Sequence, residues 1–274
     1  MTARLLAALP ALALAACGDG GTTSPGFTDH QVIADFADRV VIPTYALLDE
    51  RAAALHDAAL ALRAAPTPAN LTAAQAAWVA TRVPWEQSEG FLFGPVSAQG
   101  FDPAMDSWPV DRTDLEAVIA SSDPLTATYI RNLPETQKGF HAIEYLVFGE
   151  ARDRVVTDLD ARELQYLTGL THELTTVTAA LEASWTTGAP AYRDVFATAG
   201  AAGNTAYPSL DAAAQEILVG MSGICDEVAN GKIADPYDAH DPNLVESQYS
   251  YNSILDFADN LRSVENAYTG DVPA

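Results

Sequence analysis

Residues 158–185 read DLDARELQYLTGLTHELTTVTAALEASW, in which Leu159, Leu164, Leu167, Leu170, Leu174, Val177 and Leu181 recur at helical spacing. On a helix these side chains line one face, whereas a strand would scatter them over both, so the stretch predicts one long amphipathic helix. Its neighbours follow suit. Towards the C-terminus, Gly188-Ala189-Pro190 breaks the pattern. Ser209 then caps a predicted helix running to about Asn230 and closed by Gly231, with a turn-rich linker over 231–243. A last helix is expected from about Leu244 to Tyr268, with Tyr249, Ile254, Phe257, Leu261 and Val264 on its apolar face.

On the N-terminal side, Asp29 is the expected cap of a helix whose stripe (Tyr45, Leu48, Ala52, Leu55, Ala59, Leu62) runs on to Pro66-Thr67-Pro68. Pro43 kinks it or starts a second piece. A further helix is expected over about Leu71–Phe93 with Asn70 as cap, then a long loop over 94–112. A short helix from Asp114 to Ala120 is expected to be capped by Thr113, and 121–134 to be broken. Glu135 opens one more helix, which Gly149 closes. No alternating strand pattern of useful length occurs, so the predicted fold class is all-α, a helical bundle.

The chain has 274 residues, with 14 Lys+Arg against 37 Asp+Glu and a formal net charge of −23. Such a surface repels phosphate backbones, which excludes nucleic acid as a partner. It suits a protein that meets cations without showing that it binds them, because a solvated acidic face is commoner. Mean hydropathy is +0.03, consistent with a globular body.

Residues 1–16 read as an export signal: Arg4 precedes a short apolar run from Leu5 to Ala16. Leu14-Ala15-Ala16-Cys17 resembles a bacterial lipobox, which implies cleavage before Cys17 and lipidation of its sulfur. Residues 17–28 then form a flexible tether. The expected location is therefore the bacterial cell envelope, with the protein anchored by lipid to the outer membrane and facing the periplasm or the cell surface. The second cysteine, Cys225, is left without a partner and is expected to be a small buried hydrophobe.

Chemistry concentrates in residues 138–149, KGFHAIEYLVFG, where His141 and Glu144 stand three apart among apolar neighbours. On a helix they share a face and can point at one object, as metal ligands or as acid and base. Glu86 and Glu89 repeat that spacing after Pro84. Two carboxylates so close need a cation between them, which is either Arg82 one turn earlier or a bound metal. His30 and His56, without acidic partners at ligand spacing, are read as ordinary surface residues, and His172-Glu173, sequence neighbours that point in different directions, are not read as a site.

Three stretches taken together resemble one family. They are Trp78–Glu89 with Gly94-Pro95, Gly139–Gly149 with its Gly-x-His-x-x-Glu, and Glu246–Asn252 followed by Asp256, Asn260, Leu261 and Tyr268-Thr269-Gly270. They are similar to imelysin-like proteins, also known as insulin-cleaving membrane protease-like or iron-regulated proteins. The resemblance implies a two-lobed fold over residues 29–270, with lobes of about 29–150 and 151–270 that are each a four-helix-type bundle. It also implies an envelope lipoprotein of metal uptake, with an uptake-system protein as a further partner. Carried over, its metal-site residues are His141, Glu144, Glu86, Glu89 and Asp106, with Asp102 as second choice for the last. One departure is Gln248, where the family has a basic residue after Glu-Ser.

One imidazole with carboxylates and no thiolate suits iron, zinc, manganese or calcium better than copper(I); iron is the metal the resemblance implies. Helical zinc peptidases carry two histidines at fixed spacing, and none is found here. The residues therefore favour metal binding without catalysis over a metallopeptidase, in which Glu144 would be the base. A third reading is a polysaccharide- or protein-binding module with Trp85, Trp108 and Tyr145 as contact surface, although core packing explains each of them more simply.

Overall fold

The computed structural model describes residues 28–272. The export signal, Cys17 and nearly all of the tether lie outside the described residues. Among the described residues there is no strand, and no helix is long and apolar enough to cross a membrane.

Three long helices make the frame. Helix α1 (Asp29–Phe36) passes through a π-helical turn, Ala37–Val41, into α2 (Ile42–Ala64). Pro43 has no N–H to give the carbonyl four residues back, and the helix widens just ahead of it instead of breaking. The cap of α1 is Thr28 in a capping box with Gln31, one residue before the expected Asp29. Helix α3 (Pro68–Glu86) is capped by Thr67, not by Asn70. The Asn70 side chain turns back to close the preceding helix, donating to the carbonyls of Ala61 and Ala65 at 3.3 and 2.8 Å.

Between α3 and the next long helix, the stretch expected as a loop holds α4 (Pro95–Gln99) and α5 (Phe101–Asp106). Then follow α6 (Arg112–Ala120), capped by Asp111 where Thr113 was expected, α7 (Ala127–Arg131) and α8 (Gly139–Phe148). Helix α9 (Ala161–Thr186) is the opening stretch, with Asp160 and Glu163 forming its capping box.

Helix α2 packs between α3 and α9 along its whole apolar stripe, and Tyr45, Leu48, Ala52, Leu55, Ala59 and Leu62 are all fully buried. One continuous apolar core joins this layer to α8 and α9, so the packing runs across the expected division near residue 150. Helix α8 is buried on every side; Tyr145 alone among its residues is half-buried.

The C-terminal part departs most from expectation. Helices α10 (Tyr192–Ala197) and α11 (Leu210–Asp226) are followed by a π-helical segment, Glu227–Ala234, which leads into α12 (Asp235–Ala239). Gly231 therefore does not end a helix. The backbone runs on past it and swings Val228 and Lys232 inward. Residues 245–252 form a non-helical strap, and α13 starts only at Ser253, ending at Thr269.

The expected apolar face of α13 is wrong in part. Ile254 and Leu261 are exposed, and the helix buries Ser253, Asp256, Asn260, Ser263 and Asn266 along with Phe257. A polar stripe faces inward because it meets the buried charges of Arg82, Glu86 and Glu89. Cys225 is exposed, not buried as expected, because α11 turns that face to solvent.

Candidate metal centre

Helix α3 sends Arg82 and Glu86 inward from consecutive turns, and a short 3-10 turn after it does the same with Glu89. Arg82 is fully buried, with its guanidinium carbon 4.9 Å from the centre of the Phe140 ring. It is the hub of the cluster: it pairs with Glu86 and Asp106, reaches Glu246 Oε1 at 2.9 Å and lies 3.8 Å from Asp256 Oδ1. Lys232 is the second cation, with its Nζ at 2.7 Å from Glu89, 3.0 Å from Glu246 Oε2 and 3.4 Å from Glu86. Asn260 from α13 donates to Glu86 and Glu89 at 2.5 and 2.9 Å.

Asp106 ends α5, and Trp85 Nε1 donates to its Oδ2 at 2.6 Å. Gly139, at the start of α8, lies directly beneath, with φ at +79°. A Cβ there would stand 2.2 Å from the Met105 carbonyl oxygen, so only glycine lets the two helix ends meet and bring Asp106 to His141.

His141 is almost fully buried, with Nδ1 3.0 Å from Glu144 Oε2. The other Glu144 oxygen, Oε1, accepts three hydrogen bonds from the strap: from the Tyr249 and Ser250 amides at 3.1 and 2.7 Å and from the Ser250 hydroxyl at 2.7 Å. Glu144 is thus held at both ends and fixes the imidazole. Its placement of a proton on Nδ1 leaves Nε2 aimed into the cluster. Nε2 lies 3.1 Å from Asp106 Oδ1, yet the geometry is not that of a hydrogen bond, and Nε2 has no hydrogen-bond partner.

Six carboxylates (Glu86, Glu89, Asp106, Glu144, Glu246, Asp256) therefore meet Arg82, Lys232 and His141. The negative excess is relieved by protonation. Burial pushes the Glu89 and Asp256 carboxyls above their usual range, Glu89 well above it. Burial acts in the same direction on Asp106, but Arg82 and His141 outweigh it and hold that group low. For His141, burial opposes the charged ring, and contact with Asp106 and Glu144 overcomes it, raising the imidazole to about 9. Burial also raises Asp102, to about 6, with help from Asp106.

Among the described residues, two sets of side chains are close enough to hold an ion, each with ligand atoms within 4.8 Å of one another: Asp106, His141 and Glu246, and Glu86, Glu89, Asp106 and Glu246. The first fits a metal. His141 Nε2 is a buried polar atom that makes no hydrogen bond, and a nitrogen with two carboxylates is a donor set for iron, zinc or manganese. The second set is already counter-charged by the Lys232 ammonium and hydrogen-bonded by the Asn260 amide.

The structure brings the five residues expected at the site into one cluster, in different roles. His141 and Asp106 face a common point with Glu246, while Glu144 supports the imidazole from behind, Glu86 pairs with Arg82 and Lys232, and Glu89 with Lys232. Asp102 belongs to neither set. Glu246 and Lys232 escaped sequence reading because the strap and the π-helical segment that aim them carry no regular period. Glu246 did stand at the head of the third family-like stretch, and that was its one signal. Trp85 is fully buried against Asp106, which removes it as a contact surface; Trp108 and Tyr145 are half-buried, Trp108 donating to the Val245 carbonyl at 3.2 Å and Tyr145 packing edge-on against Tyr249.

The family model described as Imelysin matches residues 41–273. Iron-regulated protein A of Synechococcus elongatus (strain ATCC 33912 / PCC 7942 / FACHB-805) is 37% identical over 257 residues, covering 93% of this chain and 67% of that protein. A crystal structure carrying the name iron-regulated protein A precursor, from Parabacteroides distasonis ATCC 8503, superposes with a TM-score of 0.81 at 30% identity over 91% of this chain and 76% of that one. An imelysin-like protein from Psychrobacter arcticum 273-4 superposes with a TM-score of 0.71 at 19% identity, over 88% and 74% of the two chains, and shares the fold.

Proposed function

The chain belongs to the imelysin family, and from that premise we propose that it binds a metal ion, iron foremost, and serves metal acquisition at the bacterial cell envelope. The observation that carries this reading is the buried Nε2 of His141, which makes no hydrogen bond and whose ligand atom lies within 4.8 Å of those of Asp106 and Glu246. Asp106, 3.1 Å away, answers Nε2 while the ring is charged; a neutral ring leaves there a buried lone pair that a cation would complete. The iron-regulated name of two relatives supports iron as the first metal to test.

In this reading His141 Nε2, Asp106 and Glu246 hold the ion. Glu144 fixes the ring, and Arg82 offsets the remaining carboxylates. A bound ion supplies the positive charge that the cluster lacks. Loading requires a neutral imidazole, so His141 gives up its second proton as metal arrives. Zinc, manganese, calcium and copper are the alternatives to iron, with carboxylate ligands favouring the harder ions.

The geometry favours binding over peptide hydrolysis. A general base needs a free carboxylate oxygen within reach of a water, and Glu144 has both oxygens engaged. Attachment to the membrane through Cys17 and delivery to an uptake-system protein belong to the same proposal. The decisive experiment is anaerobic titration of mature protein with Fe²⁺, followed by elemental analysis after gel filtration. Retention of one equivalent, lost in His141→Ala and in Glu246→Gln, is the expected result. No retention of any divalent or ferric ion overturns the reading, and chelator-sensitive cleavage of unfolded protein would restore the peptidase.

A further inference from the structure

The two candidate ligand sets share Asp106 and Glu246. Shared carboxylates between adjoining sets are the arrangement that bridges a pair of metal ions some 3.5–4 Å apart. Here one side of the pair has the His141 imidazole nitrogen, and the other holds the Lys232 ammonium group. We propose that Lys232 permanently occupies the second cation position, so that the site accepts one metal ion and not two. This rests on the metal-binding reading above and deepens it.

The position of Lys232 supports the inference. Its side chain is 4% exposed, and its Nζ lies within 3.4 Å of carboxylate oxygens from three separate elements: Glu86, Glu89 and Glu246. Metal–oxygen bonds are 2.0–2.6 Å, so an ion centred on these oxygens and the ammonium exclude each other. The insertion depends on the π-helical segment Glu227–Ala234. An α-helical continuation of α11 would turn each successive residue by about 100°, whereas the wider π turn changes that register and sends Lys232 inward. Arg82 pairs with carboxylates of both sets, Asp106 and Glu246 of the shared pair and Glu86 of the second set, so Lys232, which adds Glu89, is the cation that distinguishes the second set from the His141 side. The asymmetry between the two halves is therefore built from one side chain.

The test is Mn²⁺ titration of mature wild type, Lys232→Gln and Lys232→Arg, read as bound metal per chain and by electron paramagnetic resonance. Wild type and Lys232→Arg are expected to bind one ion with an isolated-ion spectrum. Lys232→Gln is expected to bind two, with the spectrum of an exchange-coupled pair. One ion in Lys232→Gln, as in wild type, overturns the role of Lys232 and leaves the metal-binding reading standing. Two ions in wild type overturn the proposal directly. No ion in any variant overturns the metal-binding reading and the proposal with it. Circular dichroism melting shows whether Lys232→Gln folds; if it does not, Lys232→Met, which keeps the stem and drops the charge, is titrated with the same expected and overturning outcomes.

Discussion

Glu144 grips His141 from behind: its Oε2 sits 3.0 Å from Nδ1, while three donors from the 245–252 strap hold its Oε1. The carboxylate thereby selects the tautomer that presents Nε2 to Asp106 and Glu246. Replacing it with glutamine should keep the strap bonded through the amide oxygen but place an N–H against Nδ1. The ring then carries its proton on Nε2, where a metal would bind. Glu144→Gln is accordingly expected to fold and to lose 10–100-fold in metal affinity, as is usual when such an orienting partner is changed. Calorimetric titration of variant and wild type checks this, and unchanged affinity would refute the role assigned to Glu144.

Gly139 makes the complementary contact on the other side of His141. A methyl group there would collide with the Met105 carbonyl, one residue from Asp106, at a backbone φ that disfavours any side chain. Gly139→Ala should destabilise the protein by about 2–4 kcal/mol. It should also weaken metal binding, because relief of the clash moves Asp106 away from Nε2. Urea unfolding and metal titration of the same sample test both halves of the expectation.

The metal-free cluster should show a charged imidazole at neutral pH. Burial opposes the charge, but Asp106 and Glu144 raise His141 from 6.5 to about 9. Because the folded value lies above the unfolded one, its contribution is complete below about pH 6.5 and is lost as pH rises through about 9. Its size is on the order of 3 kcal/mol. Metal-free wild type should therefore lose stability between those values more steeply than His141→Gln. Nuclear magnetic resonance titration of the His141 ring gives the same answer directly, and a ring that titrates near 6.5 would contradict it.

How much of this was legible in the sequence depends on whether period or partner set the structure. The apolar stripes of α2 and α9 follow from leucines and alanines at helical spacing, and both are buried as predicted. The Gly-x-His-x-x-Glu stretch pointed to α8 and to the cluster. The errors fall where tertiary contacts override local pattern. Ile254 and Leu261 match a helical stripe, yet α13 turns Asp256 and Asn260 inward because Arg82, Glu86 and Glu89 are there to bond them. Gly231 looked like a helix terminus, and no local signal distinguishes an end from a π-helical turn. Of the expected cations near Glu86 and Glu89, Arg82 pairs with Glu86, and Lys232, nearly 150 positions away in the chain, is a further one that contacts both.

Arg82 carries the largest predicted stability effect. Its guanidinium pairs with Glu86, Asp106 and Glu246 and lies over Phe140, all out of solvent. A planar fork serves three carboxylates at once, which a single ammonium cannot match. Arg82→Met leaves those carboxylates facing one another without their shared cation, and removal of one partner from a buried ionic group costs about 3–5 kcal/mol. Arg82→Lys should recover a minor part of that loss. If an added divalent ion takes up the missing charge, Mn²⁺ should raise the melting temperature of Arg82→Met more than that of wild type. Equal melting of Arg82→Met and wild type without metal would show that the cluster is held by its hydrogen bonds and packing, not by this cation.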